Sequence, residues 1–193
     1  MLCTNQMPNV IMKPLKDPFE TVAWSLQAQQ KPQAVLTDIF NNDTVAYFKT
    51  TIQAAYRSVW QNKAVREYQN KELFRVYLRA NSLILVGAYL YKIHKKRIRK
   101  LEKRIDNKAR QHDKSVQQKG FLQFYADPLY RIYCLFEMDT IPYWKADWAY
   151  FILAAFSKST YTNTESYPSL NYFIHSLIDA LYEMHQSTLK QKL

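Results

Sequence analysis

Glycine is nearly absent from this chain. Only two of its 193 residues are glycine, whereas average usage supplies about a dozen. Phosphate-binding glycine loops, dinucleotide-binding motifs, tight β-hairpins and nucleophile elbows all depend on the backbone freedom of glycine. The scarcity therefore argues against those enzyme classes and favours an all-α fold.

Cysteine is equally scarce. Cys3 and Cys134 are the only thiols, which is too few for a disulfide framework or a cysteine-based zinc site. We therefore expect a reducing, cytoplasmic location, and we predict no cofactor and no metal. Two interior runs, 80–91 and 166–178, contain no Asp, Glu, Lys or Arg. Both are too short to cross a bilayer, so we predict no transmembrane segment.

Acidic residues are outnumbered, and the imbalance is local. The chain has 27 Lys and Arg against 16 Asp and Glu, a formal net charge of +11. The segment 92–119 carries 12 basic and 3 acidic groups, a net charge of +9, which leaves +2 for the rest of the chain. The protein is therefore a nearly neutral body that carries one cationic segment.

Prolines mark the expected helix starts. Residues 33–127 contain none, and helix-start signals stand at Asp17–Pro18, Pro32, Asp127–Pro128, Thr140–Pro142 and Pro168. Between them, apolar residues recur at helical intervals of three and four. We predict an N-terminal tail at 1–16 and a single-domain bundle of six or seven helices over 17–193, with an exposed loop at 158–166.

The longest apolar repeat predicts a basic central helix over about 71–112. At 1.5 Å per residue it would span roughly 60 Å, whereas a domain of this size is only about 40 Å across. We therefore expect the helix either to project from the bundle or to break, near Gly87 or near Asn107. Gly87 and Gly120 are the positions where we expect flexibility.

One side of this helix concentrates positive charge. At 100° per residue, six basic residues fall within about 60° of one another and span roughly 33 Å, about one turn of B-form DNA. They are Lys92, Lys96, Arg99, Lys103, Arg110 and Lys114. A polyanion would relieve their mutual repulsion, so we predict a non-enzymatic accessory protein that binds the phosphates of DNA or RNA with little sequence preference.

Other interpretations of the same helix remain open. A solvated amphipathic helix that only keeps the protein soluble fits the charge run, and peripheral attachment to an anionic membrane is a weaker alternative. A protein-interaction adaptor or assembly subunit, including a homodimer, would use the apolar seam Ile98, Leu101 and Ile105 or the aromatic surface Tyr143, Trp144 and Trp148. Helical spacing makes core packing the commoner role for these aromatic residues.

The start of the basic segment resembles a known helix. The run Ala88, Tyr89, Leu90, Tyr91, which leads into a basic helix containing isoleucines, is similar to the central helix of subunits of the GINS replication complex. The resemblance is confined to this short stretch, and the rest of the chain shows none.

Histidines give only a weak metal signal. His175, Asp179 and Glu183 recur at intervals of four, so they share one face of a helix. No second histidine motif accompanies them, and a hydrogen-bonded or exposed histidine is the simpler interpretation. No serine, cysteine or tyrosine stands in a nucleophile motif, so catalysis finds no support in the sequence.

Overall fold

The protein is an all-helical bundle. A computed structural model describes residues 31–61, 67–111, 126–157 and 167–190, and these ranges contain six helices and no strand. The helices are α1 (Pro32–Asn42), α2 (Val45–Trp60), α3 (Glu67–Gln111), α4 (Pro128–Met138), α5 (Ile141–Phe156) and α6 (Tyr167–Lys190). The predicted all-α fold class and helix number are confirmed.

The helix starts follow the local sequence signals. Pro32 is the first residue of α1, and Asp127 caps α4 by accepting a hydrogen bond from the Leu129 amide at 2.9 Å. Thr44 caps α2 by accepting one from the Tyr47 amide at 3.1 Å. The predicted tail at 1–16, the helix expected after Asp17 and the loop at 158–166 lie outside the described residues.

Helix α3 is the centre of the bundle and is continuous. It contains 45 residues, about 67 Å, and contacts each of the other five helices. The expectation of a break near Gly87 or Asn107 is wrong, because both residues lie within the helix. The alternative expectation, a helix that projects from the bundle, stays a prediction.

Gly87 is a point of close packing and is buried. A methyl group at its Cβ position would lie 2.8 Å from Leu177 Cδ1 of α6 and 2.8 Å from Phe136 Cε2 of α4. Such distances are too short for carbon atoms, so only glycine allows this approach without a shift of the neighbours. The expected flexibility at Gly87 is therefore replaced by a structural role, and Gly120 lies outside the described residues.

Aromatic rings join α5 to the rest of the core. Trp148 is fully buried, stacks on Tyr77 of α3 and donates from Nε1 to the Tyr77 carbonyl at 3.3 Å. Trp144 lies parallel to Phe173 of α6, with ring centroids 4.0 Å apart. Two of the four tryptophans thus attach α5 to α3 and to α6 through stacked aromatic rings.

A buried ion cluster fastens the start of the bundle to α3. The Asp43 carboxylate, almost entirely buried, accepts from Arg75 at 2.9 Å and from Arg79. Arg79 also donates to the Ile39 carbonyl at the end of α1, at 3.3 Å. Asp43 is the buried charge of this cluster, and Arg75 and Arg79 both compensate it, which joins the α1–α2 junction to α3.

The two shortest junctions use the same dipeptide. Asp43–Thr44 separates α1 from α2, and Asp139–Thr140 separates α4 from α5. Asp43 and Asp139 adopt extended backbone, with φ of −135° and −157°. The Asp139 carboxylate accepts from the Thr140 amide at 2.6 Å. The chain therefore turns between these helices without glycine, through side chains that bond to the backbone.

The length and composition of α3 also meet a membrane-span criterion. Residues 70–103 are long and apolar enough to cross a bilayer, and 61% of the most apolar window is buried inside the bundle. The central helix of a bundle can meet this criterion without crossing a membrane, because the apolar side chains that raise its hydropathy pack against neighbouring helices. The absence of a transmembrane segment stays a prediction.

We predict that Gly87→Ala destabilises the fold by about 1–3 kcal/mol, because the new methyl group overpacks the contact with Leu177 and Phe136. Helix propensity alone would favour alanine by about 1 kcal/mol, so the sign of the change tests the packing. Urea denaturation measures it. Leu177→Ala removes one of the two obstructing groups, so Gly87→Ala should cost less in that background. Equal costs in both backgrounds would contradict the packing argument.

Candidate nucleic-acid interface

Four exposed lysines line the outer side of α3. Lys92, Lys96, Lys100 and Lys103 fall within about 80° of helix rotation and extend over about 16 Å. None has a carboxylate partner in the described part of the chain. We call this set the lysine face. Neighbouring members are three or four residues apart, so their charges repel one another.

The lysine face differs in part from the predicted set. Lys92, Lys96 and Lys103 are exposed as expected, and Lys100 is an additional member that the narrower 60° arc left out. Arg97 is exposed on the far side of Ile93, which is 50% exposed. A wider arc would have found Lys100 from the sequence alone. Arg110 lies near the end of α3, and Lys114 lies outside the described residues.

Arg99 is paired within the protein. Its Nη2 donates to both carboxylate oxygens of Glu137 in α4, at 3.1 and 3.3 Å, and its Nε lies 3.4 Å from the Tyr133 hydroxyl. Lys95 forms an ion pair with the same carboxylate at 2.9 Å. Arg99 therefore differs from the lysine face, although the helical wheel puts it on the same side.

Glu137 is held in its ionised form. The Tyr91 hydroxyl donates to Oε1 at 2.6 Å, and this hydrogen bond, followed by those from Lys95 and Arg99, lowers the pKa of Glu137 to about 2 against the opposing effect of burial. The carboxylate is thus charged at any physiological pH. We call Tyr91, Lys95, Arg99 and Glu137 the Glu137 cluster.

A second carboxylate lies on the same helix pair in a different environment. Glu102 accepts hydrogen bonds from Tyr130 at 3.1 Å and from Tyr133 at 3.2 Å. Its described partners are tyrosine hydroxyls, whereas those of Glu137 include two cations. Glu102 and Glu137 are therefore two carboxylates at the contact between α3 and α4, and among the described residues only Glu137 pairs with cations.

Three of the six residues predicted for a protein interface are buried. Ile98 is 4% exposed and packs with Tyr130 and Tyr133, Leu101 is half-buried, and Ile105 lies near the end of α3. Trp144 and Trp148 belong to the core, so they do not present a surface to a partner. Tyr143 is exposed. Within the apolar seam, Ile98 therefore packs against the tyrosines of α4 in the same chain.

The histidine series of α6 does not assemble as a metal site. Asp179 pairs with Lys49 at 2.7 Å and Glu183 pairs with Arg131, so both carboxylates already have cationic partners. Among the described residues, no group of three or more histidine, cysteine or acidic side chains is placed to hold a metal ion. His175 remains with a buried Nε2 that has no hydrogen-bond partner.

Cys134 does not have the character of a reactive thiol. It lies half-buried on α4 beside Tyr130, and burial raises the pKa of its thiol. Reactive cysteines require the opposite shift, toward thiolate.

No protein-family model matches the chain, and neither curated proteins nor solved structures give a match.

We predict that the fold loses stability as the pH falls below about 6.5. Burial lowers the pKa of both His185 and His175; Lys49 lowers that of His175 further, and Asp179 opposes the change. The unfolded chain therefore takes up protons at a higher pH than the folded chain. Stability is complete above the ordinary histidine pKa of about 6.5 and is lost as the pH falls toward the lowered values.

Urea denaturation between pH 7.5 and 5 measures this loss. Each histidine contributes at most about 1.4 kcal/mol per pH unit. The double variant His175→Gln/His185→Gln should show a flatter dependence over the same range, even if it is less stable throughout. A wild-type midpoint that stays constant from pH 7.5 to 5 would refute the assignment.

Proposed function

We propose that this protein is a non-enzymatic accessory protein that binds the phosphate backbone of nucleic acid through the lysine face. The observation that carries the proposal is the alignment of four exposed lysines on a rigid helix, without carboxylate partners in the described ranges. Phosphate groups would replace the repulsion between these lysines with attraction and would release counterions.

The geometry favours backbone contact over base readout. Lysine ammonium groups interact with phosphate as point charges, whereas specific base recognition relies chiefly on arginine, asparagine and glutamine. The lysine face presents ammonium groups, and the exposed Arg97 lies beyond Ile93 on the helix. We therefore propose binding with little sequence preference.

Salt dependence gives the primary test. If all four lysines contact phosphates of duplex DNA, the logarithm of the binding constant should fall with the logarithm of salt concentration at a slope of about −3.6. Fluorescence anisotropy with labelled double-stranded DNA, single-stranded DNA and double-stranded RNA, at 50–200 mM salt, measures this slope. The triple variant Lys96→Glu, Lys100→Glu, Lys103→Glu should abolish binding.

A charge-matched variant distinguishes the lysine face from net charge. Lys31, Lys71 and Lys190 are also exposed but lie on other parts of the bundle. The triple change of these residues to Glu lowers the net charge from +11 to +5, as the lysine-face variant does. It should retain most of the binding and the salt slope. Equal losses in the two variants, or no binding by the wild type at 50 mM salt, would reject the proposal.

Anionic vesicles, added as competitors in the same binding measurements, test the weaker alternative of attachment to a membrane. Ile93, half-exposed beside the lysine face, would favour insertion among lipid headgroups. Mixed phosphatidylcholine and phosphatidylserine vesicles that outcompete DNA would favour the membrane and would contradict nucleic acid as the partner.

The second candidate function is that of a subunit in a larger assembly. The exposed residues that favour it differ from the interface residues that the sequence analysis named. Trp60 is 66% exposed at the end of α2, where it stacks on Tyr56, and Tyr172 is 59% exposed on α6. Large exposed aromatic residues are typical anchors of protein interfaces.

For this candidate we expect sedimentation equilibrium to show self-association that Trp60→Ser weakens at least tenfold, because the indole would supply the buried contact area. Leu189→Ser, a change at another exposed apolar residue, serves as the control. A wild-type chain that remains monomeric to about 100 μM would argue against self-assembly.

A further inference from the structure

The Glu137 cluster brings several hydrogen-bond donors to one carboxylate. The Tyr91 hydroxyl, the Lys95 ammonium and the Arg99 guanidinium all donate to Glu137, at 2.6, 2.9 and 3.1 Å. Lys95 also lies over the Tyr91 ring, 4.6 Å from its centroid. This set of donors resembles the arrangement that proteins use for phosphate: an arginine fork, a lysine charge and a hydroxyl group.

The cluster adjoins the lysine face and is open to solvent. On the helical wheel, Arg99 lies about 20° and Lys95 about 60° from Lys92, on the side of the lysine face that is nearer α4. The side chain of Arg99 is 51% exposed, and those of Lys95 and Glu137 are about one-third exposed. A nucleic acid on the lysine face would therefore pass close to these two cations.

We infer that Lys95 and Arg99 form a phosphate-binding position, and that the Glu137 carboxylate fills it in the free protein and thereby limits affinity for nucleic acid. This inference rests on the proposed function. A carboxylate and a phosphate present similar charged oxygens to these donors, so the two compete for one position. Ion pairs at a solvent-exposed surface are weak, which permits exchange.

We do not expect a change of pH to remove Glu137 from the phosphate-binding position. With the pKa of Glu137 lowered to about 2, the carboxylate keeps its charge throughout the physiological range. Tyr91, Lys95 and Arg99 donate to it, and Lys95 also donates to the Tyr91 hydroxyl. Tyr133 and Cys134 lie near enough for the Glu137 charge to raise their pKa values. Removal of the carboxylate charge is therefore the direct way to expose the two cations.

Glu137→Gln is the primary test, by DNA-binding anisotropy across 50–200 mM salt. The amide oxygen still accepts from Tyr91, but the negative charge is gone. Two additional cations become available, so the salt slope should steepen by about 1.8, from about −3.6 to about −5.4. Affinity at 50 mM salt should rise at least several-fold.

Glu102→Gln is the matched control. It removes the same charge from the same pair of helices, but Glu102 accepts from Tyr130 and Tyr133 and holds no described cation. Its slope should remain near that of the wild type. Lys95→Gln/Arg99→Gln in the Glu137→Gln background should return the slope to about −3.6.

A further variant keeps the test valid if Glu137→Gln fails to fold. Lys95→Gln/Arg99→Gln in the otherwise unchanged chain should leave the salt slope of DNA binding unaltered. In the wild type, Glu137 already pairs with both cations and keeps them from the phosphates. A shallower slope in that variant would overturn the inference, as would equal slopes for Glu137→Gln and Glu102→Gln. Failure of the wild type to bind would instead reject the proposed function, and the inference with it.

Discussion

The bundle depends on the close approach of three helices at Gly87. Leu177 of α6 and Phe136 of α4 occupy the space that a side chain would need there, so α3, α4 and α6 meet at one point. Because protein interiors pack at near-crystalline density, such a contact fixes the relative positions of its helices to within a fraction of an ångström. The stack of Trp144 on Phe173 joins α5 to α6, one of these three helices.

This contact also determines how charge is distributed on the surface. Phe136 packs at Gly87, so the next residue, Glu137, falls beside Lys95 and Arg99, which are two and three turns farther along α3. Among the described side chains of the basic segment, Lys95 and Arg99 share one carboxylate of α4, whereas the lysine face has no carboxylate partner. Net charge alone does not reveal this division, although the division decides which groups an anion meets first.

The sequence predicted where the helices start, but it did not predict which side chains pair with one another across the bundle. Pro32, Thr44 and Asp127 act on residues two or three positions away, so their effects can be recognised from local patterns. The pairing of Arg99 with Glu137 spans 38 residues, and a helical wheel identifies a face without identifying what covers it. The alternative of a protein interface used Ile98, which the structure buries against α4, and Trp148, for which helical spacing favoured the core position that the structure shows.

The Asp–Thr junctions have a consequence for recognition. Each joins two helices through two residues whose backbone is set by side-chain hydrogen bonds, which leaves little conformational entropy to lose when a ligand binds. α3 is continuous and contacts the other five helices, so the backbone that carries the lysine face is part of the packed bundle. Association would then proceed as rigid-body docking, in which the entropic penalty is confined to the lysine side chains.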